Sequence, residues 1–191
     1  RGNLAGHNFG NLFLVALTQQ LGSFEKAIEK ASQLLHLKGE VIPSTLQRVK
    51  LNAELENGRV IRGETNIDVP QHNGNLRIQK AWLEPRAKAN PRALEAIRKA
   101  DLIVIGPGDL FSSIIPNFLV QGISKAVKKS KAKKVYVCNI MTKFGETTGF
   151  GAVDFVVQLG KYIKTSTLHY LLVNTKRPSA VRIKKYEKQH S

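Results

Sequence analysis

The sequence predicts an α/β protein: a doubly wound αβα arrangement around a parallel central sheet, carrying a β-rich section at residues 41–83 that is antiparallel or mixed. Three observations lead there. Across residues 90–174, apolar runs without alternation (Leu102–Ile105, Val135–Cys138, Tyr170–Val173) are separated by helical stretches, as expected of buried parallel strands joined by crossover helices. Between 49 and 61 the period changes to two around Asn57-Gly58, a dipeptide suited to a hairpin turn. Glycine-rich polar loops follow the first two apolar runs, at the sheet edge where doubly wound folds bind ligands.

The elements follow in order. Gly6-His7-Asn8-Phe9-Gly10-Asn11 runs into Leu12–Leu17, a stretch apolar enough to predict a helix packed on nearly all sides and ending near Gly22. His7, Asn8 and Asn11 at its head are placed either for a ligand or for capping. Ser23 caps a second helix, with Ala27, Ala31, Leu34 and Leu35 inward, that ends around 37–39. Val49, Leu51, Ala53 and Leu55 then alternate with polar residues, Val60-Ile61 return, and Leu76–Leu83 form a further strand with Trp82 near its end. The charge pattern of Arg62–Ile67 says little by itself. Asn90 caps and Pro91 begins a helix with Leu94 and Ile97 inward. After the strand 102–105 come a helix over Phe118–Val127, the strand 135–138, a helix over Val153–Ile163 and the last strand, Tyr170–Val173, which ends at Asn174-Thr175.

The sharpest chemical signal is Gly106-Pro107-Gly108-Asp109-Leu110-Phe111-Ser112-Ser113. Gly106 and Gly108 lack the Cβ that keeps a ligand off the backbone, and they allow positive φ, so successive N–H groups can turn toward one anion. Ser112 and Ser113 add hydroxyls, and Pro116 suits the first turn of a helix whose positive end lies near the loop. Strand, glycine turn, hydroxyls and helix start describe a phosphate cradle; a turn that binds nothing is the plainer alternative. The lysine of a Walker A loop is absent, so this is not an ordinary ATPase site. A second loop, 139–151, holds Asn139, Thr142, Lys143, Glu146 and Thr147, and a third, 174–177, holds Lys176. Hydroxyls, amides and glycines suit phosphates and sugar hydroxyls rather than a metal cage. Asp109 is the candidate metal contact if there is chemistry, and otherwise a cap for the turn.

The length of 191 residues suits one domain. With 30 Lys and Arg against 14 Asp and Glu, the net charge is +16, an excess that favours phosphorylated ligands or polyanions. The positive residues are dispersed, and the densest group, Lys125–Lys134, follows a helix, where lysines complement the dipole. No RNA-recognition signature, zinc-finger spacing or aromatic-basic interleaving is present, so nonspecific nucleic-acid binding stands only as a second alternative. The single cysteine, Cys138, reads as a buried thiol in a reducing cytoplasm. No apolar run approaches the roughly 18 residues of a membrane span. The chain opens at Arg1 without a signal-peptide pattern, and residues upstream are expected to be missing.

Four blocks resemble the signatures of the YvcK gluconeogenesis-factor family, which is related to the 2-phospho-L-lactate transferase CofD. They are Gly6–Leu12, Arg62–Ile67, Gly106–Leu110 with Ser113–Asn117, and Cys138–Thr142 with Gly145–Thr147, in the family's order and across the whole chain. The resemblance implies a single domain over 1–191 with a Rossmann-like three-layer αβα sandwich, in a cytoplasmic bacterial protein. It further implies a UDP-sugar ligand such as UDP-N-acetylglucosamine or UDP-glucose, and a role in cell shape and cell-wall synthesis during gluconeogenic growth, with cell-wall synthesis proteins and a homo-oligomer as possible partners. In the related transferase, the loop equivalent to Gly106–Ser113 helps hold the phosphates of GDP, and phospholactate is moved onto a deazaflavin with Mg²⁺. Family members also open with a strand and a Gly-Gly-Gly-Thr-Gly loop; nothing here matches it, so the N-terminal βα unit is expected to be lacking. At Thr148 and over 152–155 the chain also departs from the family pattern.

The expected function is therefore regulatory UDP-sugar binding without a required cofactor. Gly106, Pro107, Gly108, Asp109, Ser112 and Ser113 would hold the diphosphate; Asn139, Thr142, Glu146 and Thr147 the sugar or ribose; and His7 and Asn11 the opposite wall. No residue is assigned a catalytic or metal-ligating role, because Asp109, Glu146 and Asp154 are scattered without paired-carboxylate or nucleophile-elbow spacing. The alternative is a CofD-like phospholactyl transferase, for which Mg²⁺ would be needed.

Overall fold

A computed structural model describes residues 8–176 and 178–190. The described chain opens with two helices, α1 (Phe9–Leu21) and α2 (Phe24–Leu34). Asn8 Oδ1 accepts the Gly10 N–H, Gly22 ends α1 in the left-handed conformation, and Ser23 Oγ accepts the Lys26 N–H. Ala27, Ile28 and Ala31 of α2 are buried, whereas no residue of α1 is. The helix expected to be packed on nearly all sides instead leans on α2, and its remaining apolar surface is uncovered among the described residues.

An antiparallel unit follows: β1 (Lys50–Leu55), β2 (Val60–Arg62), the short helix α3 (Glu64–Asp68) and β3 (Ile78–Glu84). The strand order is β2-β1-β3, with Ala53 opposite both Ile61 and Ala81. The Arg62–Ile67 block, opaque in sequence, thus starts a helix after Gly63 and carries the chain over one end of this sheet.

The remaining elements are α4 (Pro91–Lys99), β4 (Leu102–Ile105), α5 (Ile115–Leu119), α6 (Ile123–Lys129), β5 (Lys133–Val137), α7 (Ala152–Ile163), β6 (Tyr170–Leu172) and α8 (Ala180–His190). Strands β4-β5-β6 form a parallel sheet in that order, with Ile105 beside Tyr136 and Val135 beside Tyr170. The single helix expected over 118–127 breaks at Val120–Gly122. There Gln121 exchanges backbone hydrogen bonds with Ala87 and Ala89, and that pairing outweighs helix continuity.

One hydrophobic core joins the two sheets: Leu51, Leu55, Ile78 and Leu83 meet Ile105, Phe111, Ile115, Tyr136, Phe155 and Leu159. Tyr162 of α7 accepts the Ala81 N–H of β3 at 3.0 Å, pinning the layers together. The opposite face of the parallel sheet is bare among the described residues. Leu102 and Val104 are 55% and 54% exposed, and Tyr170 and Leu172 are 57% and 58% exposed.

Candidate functional site at the carboxyl edge of the parallel sheet

The loop after β4 is shaped by one glycine more than the other. Gly106 has φ +80°, and a Cβ there would lie 2.9 Å from the Val137 carbonyl oxygen, so no side chain fits. Gly108 lies outside the left-handed region, and an added Cβ would make only ordinary contacts at 3.5 Å. Of the two glycines expected to supply positive φ, only Gly106 does. The Gly108 N–H is donated to Asn139 Oδ1 at 3.0 Å, which ties the first loop to the second.

A π-helical turn, Leu110–Ile114, precedes α5, so the helix begins well before Pro116. Its second and third amides are occupied from within. Phe111 and Ser112 donate their N–H groups to Glu146 Oε2 at 2.9 and 3.1 Å, and Ser112 Oγ donates to Glu146 Oε1 at 2.7 Å. Glu146 is 2% exposed. The chain thus places its own carboxylate where a helix start attracts an anion. Burial pushes this carboxyl up from its usual value, against the opposing pull of Ser112, Phe111 and Lys143. Ser113 and Ile114 turn back to the Asp109 carbonyl, both at 2.9 Å. The N–H groups of Asp109 and Leu110 meet no acceptor among the described residues, and they are the loop's spare donors.

Beside this loop lies a cleft of about 760 Å³. Its polar lining is Gly108, Asp109, Asn139, Thr142, Lys143 and Asp68, and its apolar lining includes Val69, Pro70, Pro107, Ile140, Met141 and Phe144. Lys143 Nζ donates to Asp109 Oδ2 at 2.7 Å and to Asp68 Oδ1, and lies 3.5 Å from Glu146 Oε1. Burial works against its charge, but the hydrogen bonds to Asp109 and Asp68 and the field of Glu146 prevail and hold the ammonium well above its usual value. Carboxylate oxygens of Asp68, Asp109 and Glu146 lie within 4.8 Å of one another. That donor set has the chemistry of a divalent-cation site. A lysine touching all three serves as the cation in this structure, and Glu146 is already committed to the amides.

Pro107, Gly108, Asp109, Asn139 and Thr142 therefore line one cleft, and Gly106 shapes it from beneath. Ser112, Glu146 and Thr147, expected to touch ligand, are buried. Thr147 accepts the Lys143 N–H at 2.8 Å and so holds the second loop in shape. Ser113 is exposed beyond the cleft lining, and so is Asn11 on α1. His7 lies outside the described residues. Asn174–Lys176 do not line the cleft. Asp68 went unrecognised in the sequence; its one signal is its place at the end of a short helix opened by Gly63 and Glu64.

These features define a class: a mixed α/β domain with a parallel sheet, a separate antiparallel sheet and a cleft at the carboxyl ends of adjacent parallel strands. The chain belongs to the CofD family, whose model, described as 2-phospho-L-lactate transferase CofD, matches residues 1–191. It is 48% identical over 188 residues to a putative gluconeogenesis factor of Aquifex aeolicus, covering 98% of this chain and 57% of that protein. It is 42% identical over 190 residues to the gluconeogenesis factor of Bacillus subtilis, covering 98% of this chain and 58% of that one. A crystal structure of a UPF0052-family protein from Bacillus halodurans superposes with a TM-score of 0.90 at 38% identity, over all of this chain and 60% of its own. The chain thus spans under two thirds of the length of these relatives. Among its described residues no helix is long and apolar enough to cross a membrane.

Proposed function

We propose that this domain is the nucleotide-sugar-binding part of a gluconeogenesis factor, taking UDP-N-acetylglucosamine or UDP-glucose as a regulatory ligand. The observation that carries this reading is the cleft itself. Its volume suits a ligand of that size, Pro107, Gly108 and Asp109 of the glycine loop line it, and the Asp109 N–H is an unspent donor in that loop. The diphosphate lies against the Asp109 N–H and the Gly108 backbone, and sugar or ribose hydroxyls meet Asn139 and Thr142. Lys143 offsets part of the Asp68 and Asp109 charge that would repel the phosphates. Glu146 and Ser112 serve by stiffening the loop. The gluconeogenic role rests on the names of the relatives; control of cell shape and wall synthesis is the physiological extension of this reading.

One observation favours the transferase reading instead. Asp68 and Asp109 are the residues that would hold Mg²⁺, with Lys143 withdrawn, and the ion would supply charge neutralisation for a phosphoryl group. Thermal shift separates the two. UDP-N-acetylglucosamine at about 100 times its dissociation constant should stabilise the protein by roughly 2.7 kcal/mol, and Gly108→Val, at a position without left-handed φ, should abolish the effect. Stabilisation by GDP with Mg²⁺ and not by UDP-sugars would favour the transferase. Binding of duplex DNA alone, with steep salt dependence, would point to the charge rather than the cleft.

A further inference from the structure

We propose that Phe144 is the stacking platform for the nucleobase of the ligand, an assignment that rests on the nucleotide reading above. Phe144 directly follows the buried-side anchor Lys143 and is 61% exposed, yet its ring is not loose. A Cβ on Gly74 would stand 2.4 Å from ring atoms Cε1 and Cζ, so the ring edge rests against the bare backbone of Gly74. The backbone around that contact is pinned as well. Thr148 Oγ1 donates to the Gly74 carbonyl at 2.8 Å and accepts the Gly145 N–H at 3.0 Å, which holds the residue after Phe144 and the residue beneath its ring in one arrangement.

The ring has apolar company on the same cleft. Ile140 is 73% exposed, Val69 55% and Met141 44%, beside a floor of Asp109, Asn139 and Lys143. Large apolar groups gathered at one rim, in contact with water, mark a surface that is covered in use. Phosphates and hydroxyls are served by the polar floor, so the moiety left for the lip is the flat, weakly hydrated one. A heteroaromatic base offers a π-face that an aromatic side chain stacks on without reading its identity. A ring already resting against Gly74 has less freedom to lose when the base arrives.

The test is calorimetric titration of the full chain, as wild type, Phe144→Ala and Phe144→Trp, with UDP-N-acetylglucosamine, UDP and N-acetylglucosamine 1-phosphate. In Phe144→Ala, affinity for both uridine ligands should fall roughly 5- to 150-fold, the loss expected of one stacked base, while the sugar phosphate and the melting temperature are unaffected. Phe144→Trp should retain uridine binding, and the introduced indole should be quenched by UDP. Wild-type affinity for UDP in Phe144→Ala overturns the proposal and leaves the nucleotide reading standing. An equal loss for the sugar phosphate also overturns it, because the ring would then support the carbohydrate. If the wild type binds neither uridine ligand, the nucleotide reading falls first.

Discussion

Glu146 decides the character of the glycine loop, and it does so from inside the protein. Its carboxylate satisfies the amides of Phe111 and Ser112 together with the Ser112 hydroxyl. Glu146→Ala leaves two N–H groups without a partner, and chemical denaturation should show a loss of about 3 kcal/mol or more. Glu146→Gln keeps an acceptor oxygen and should cost less. Burial raises this carboxyl from its usual value, so the fold penalises its charged form relative to the unfolded chain. The wild-type advantage over Glu146→Gln should be largest below pH 4.5 and shrink as pH rises past that value; an advantage that grows with pH would contradict the direction. Gly106→Ala combines a left-handed φ with a 2.9 Å approach to the Val137 carbonyl, so its melting temperature should fall while Gly108→Ala is nearly silent. From the sequence, Gly106 and Gly108 look alike, and Glu146 and Thr147 look like ligand contacts. Spacing places residues in a loop and is blind to which of them turn inward, and a carboxylate 34 residues after Ser112 carries no local mark of its partner.

Among the elements, the segment from α3 to Gly74 is what turns a loop at a sheet edge into a cleft. It brings Asp68 to Lys143, and Gly74 to Thr148 and Phe144. Both partners of the Asp68–Lys143 pair are partly exposed, so a double-mutant cycle with Asp68→Asn and Lys143→Met should return a coupling of about 0.5–1 kcal/mol, weakening with salt. A coupling near zero would mean that this pair adds nothing to the docking of the antiparallel unit. Strands were legible because their signals are local: alternation from Val49 to Leu55, Asn57-Gly58, and the unbroken runs at 102–105 and 135–137. The caps Ser23 and Asn90 were legible for the same reason. The break at Val120–Gly122 was not, since it answers to Ala87 and Ala89, more than thirty residues away in the chain. The unbroken apolar run Leu12–Leu17 reads as a buried helix, but hydrophobicity reports what a helix would bury and not what is there to cover it.

On the scale of the whole molecule, a parallel sheet with one covered face is unusual, because its strands are ordinarily apolar toward both sides. Leu102, Val104, Tyr170 and Leu172 leave that second side exposed among the described residues, and α1 separately exposes Phe9 and Val15. These 191 residues should therefore bind an apolar dye such as anilinonaphthalene sulfonate while folded, and Val104→Lys with Leu172→Lys should reduce the signal without lowering secondary structure. The +16 charge sets what approaches the molecule; the cleft sets what stays. The central claim, that a nucleotide sugar occupies the junction of the two glycine loops, is tested most directly by hydrogen–deuterium exchange with and without UDP-N-acetylglucosamine. Protection concentrated in 108–110 and 139–144 is the expected result. Protection confined to the lysine-rich end of α6, or no ligand-dependent change anywhere, would contradict it.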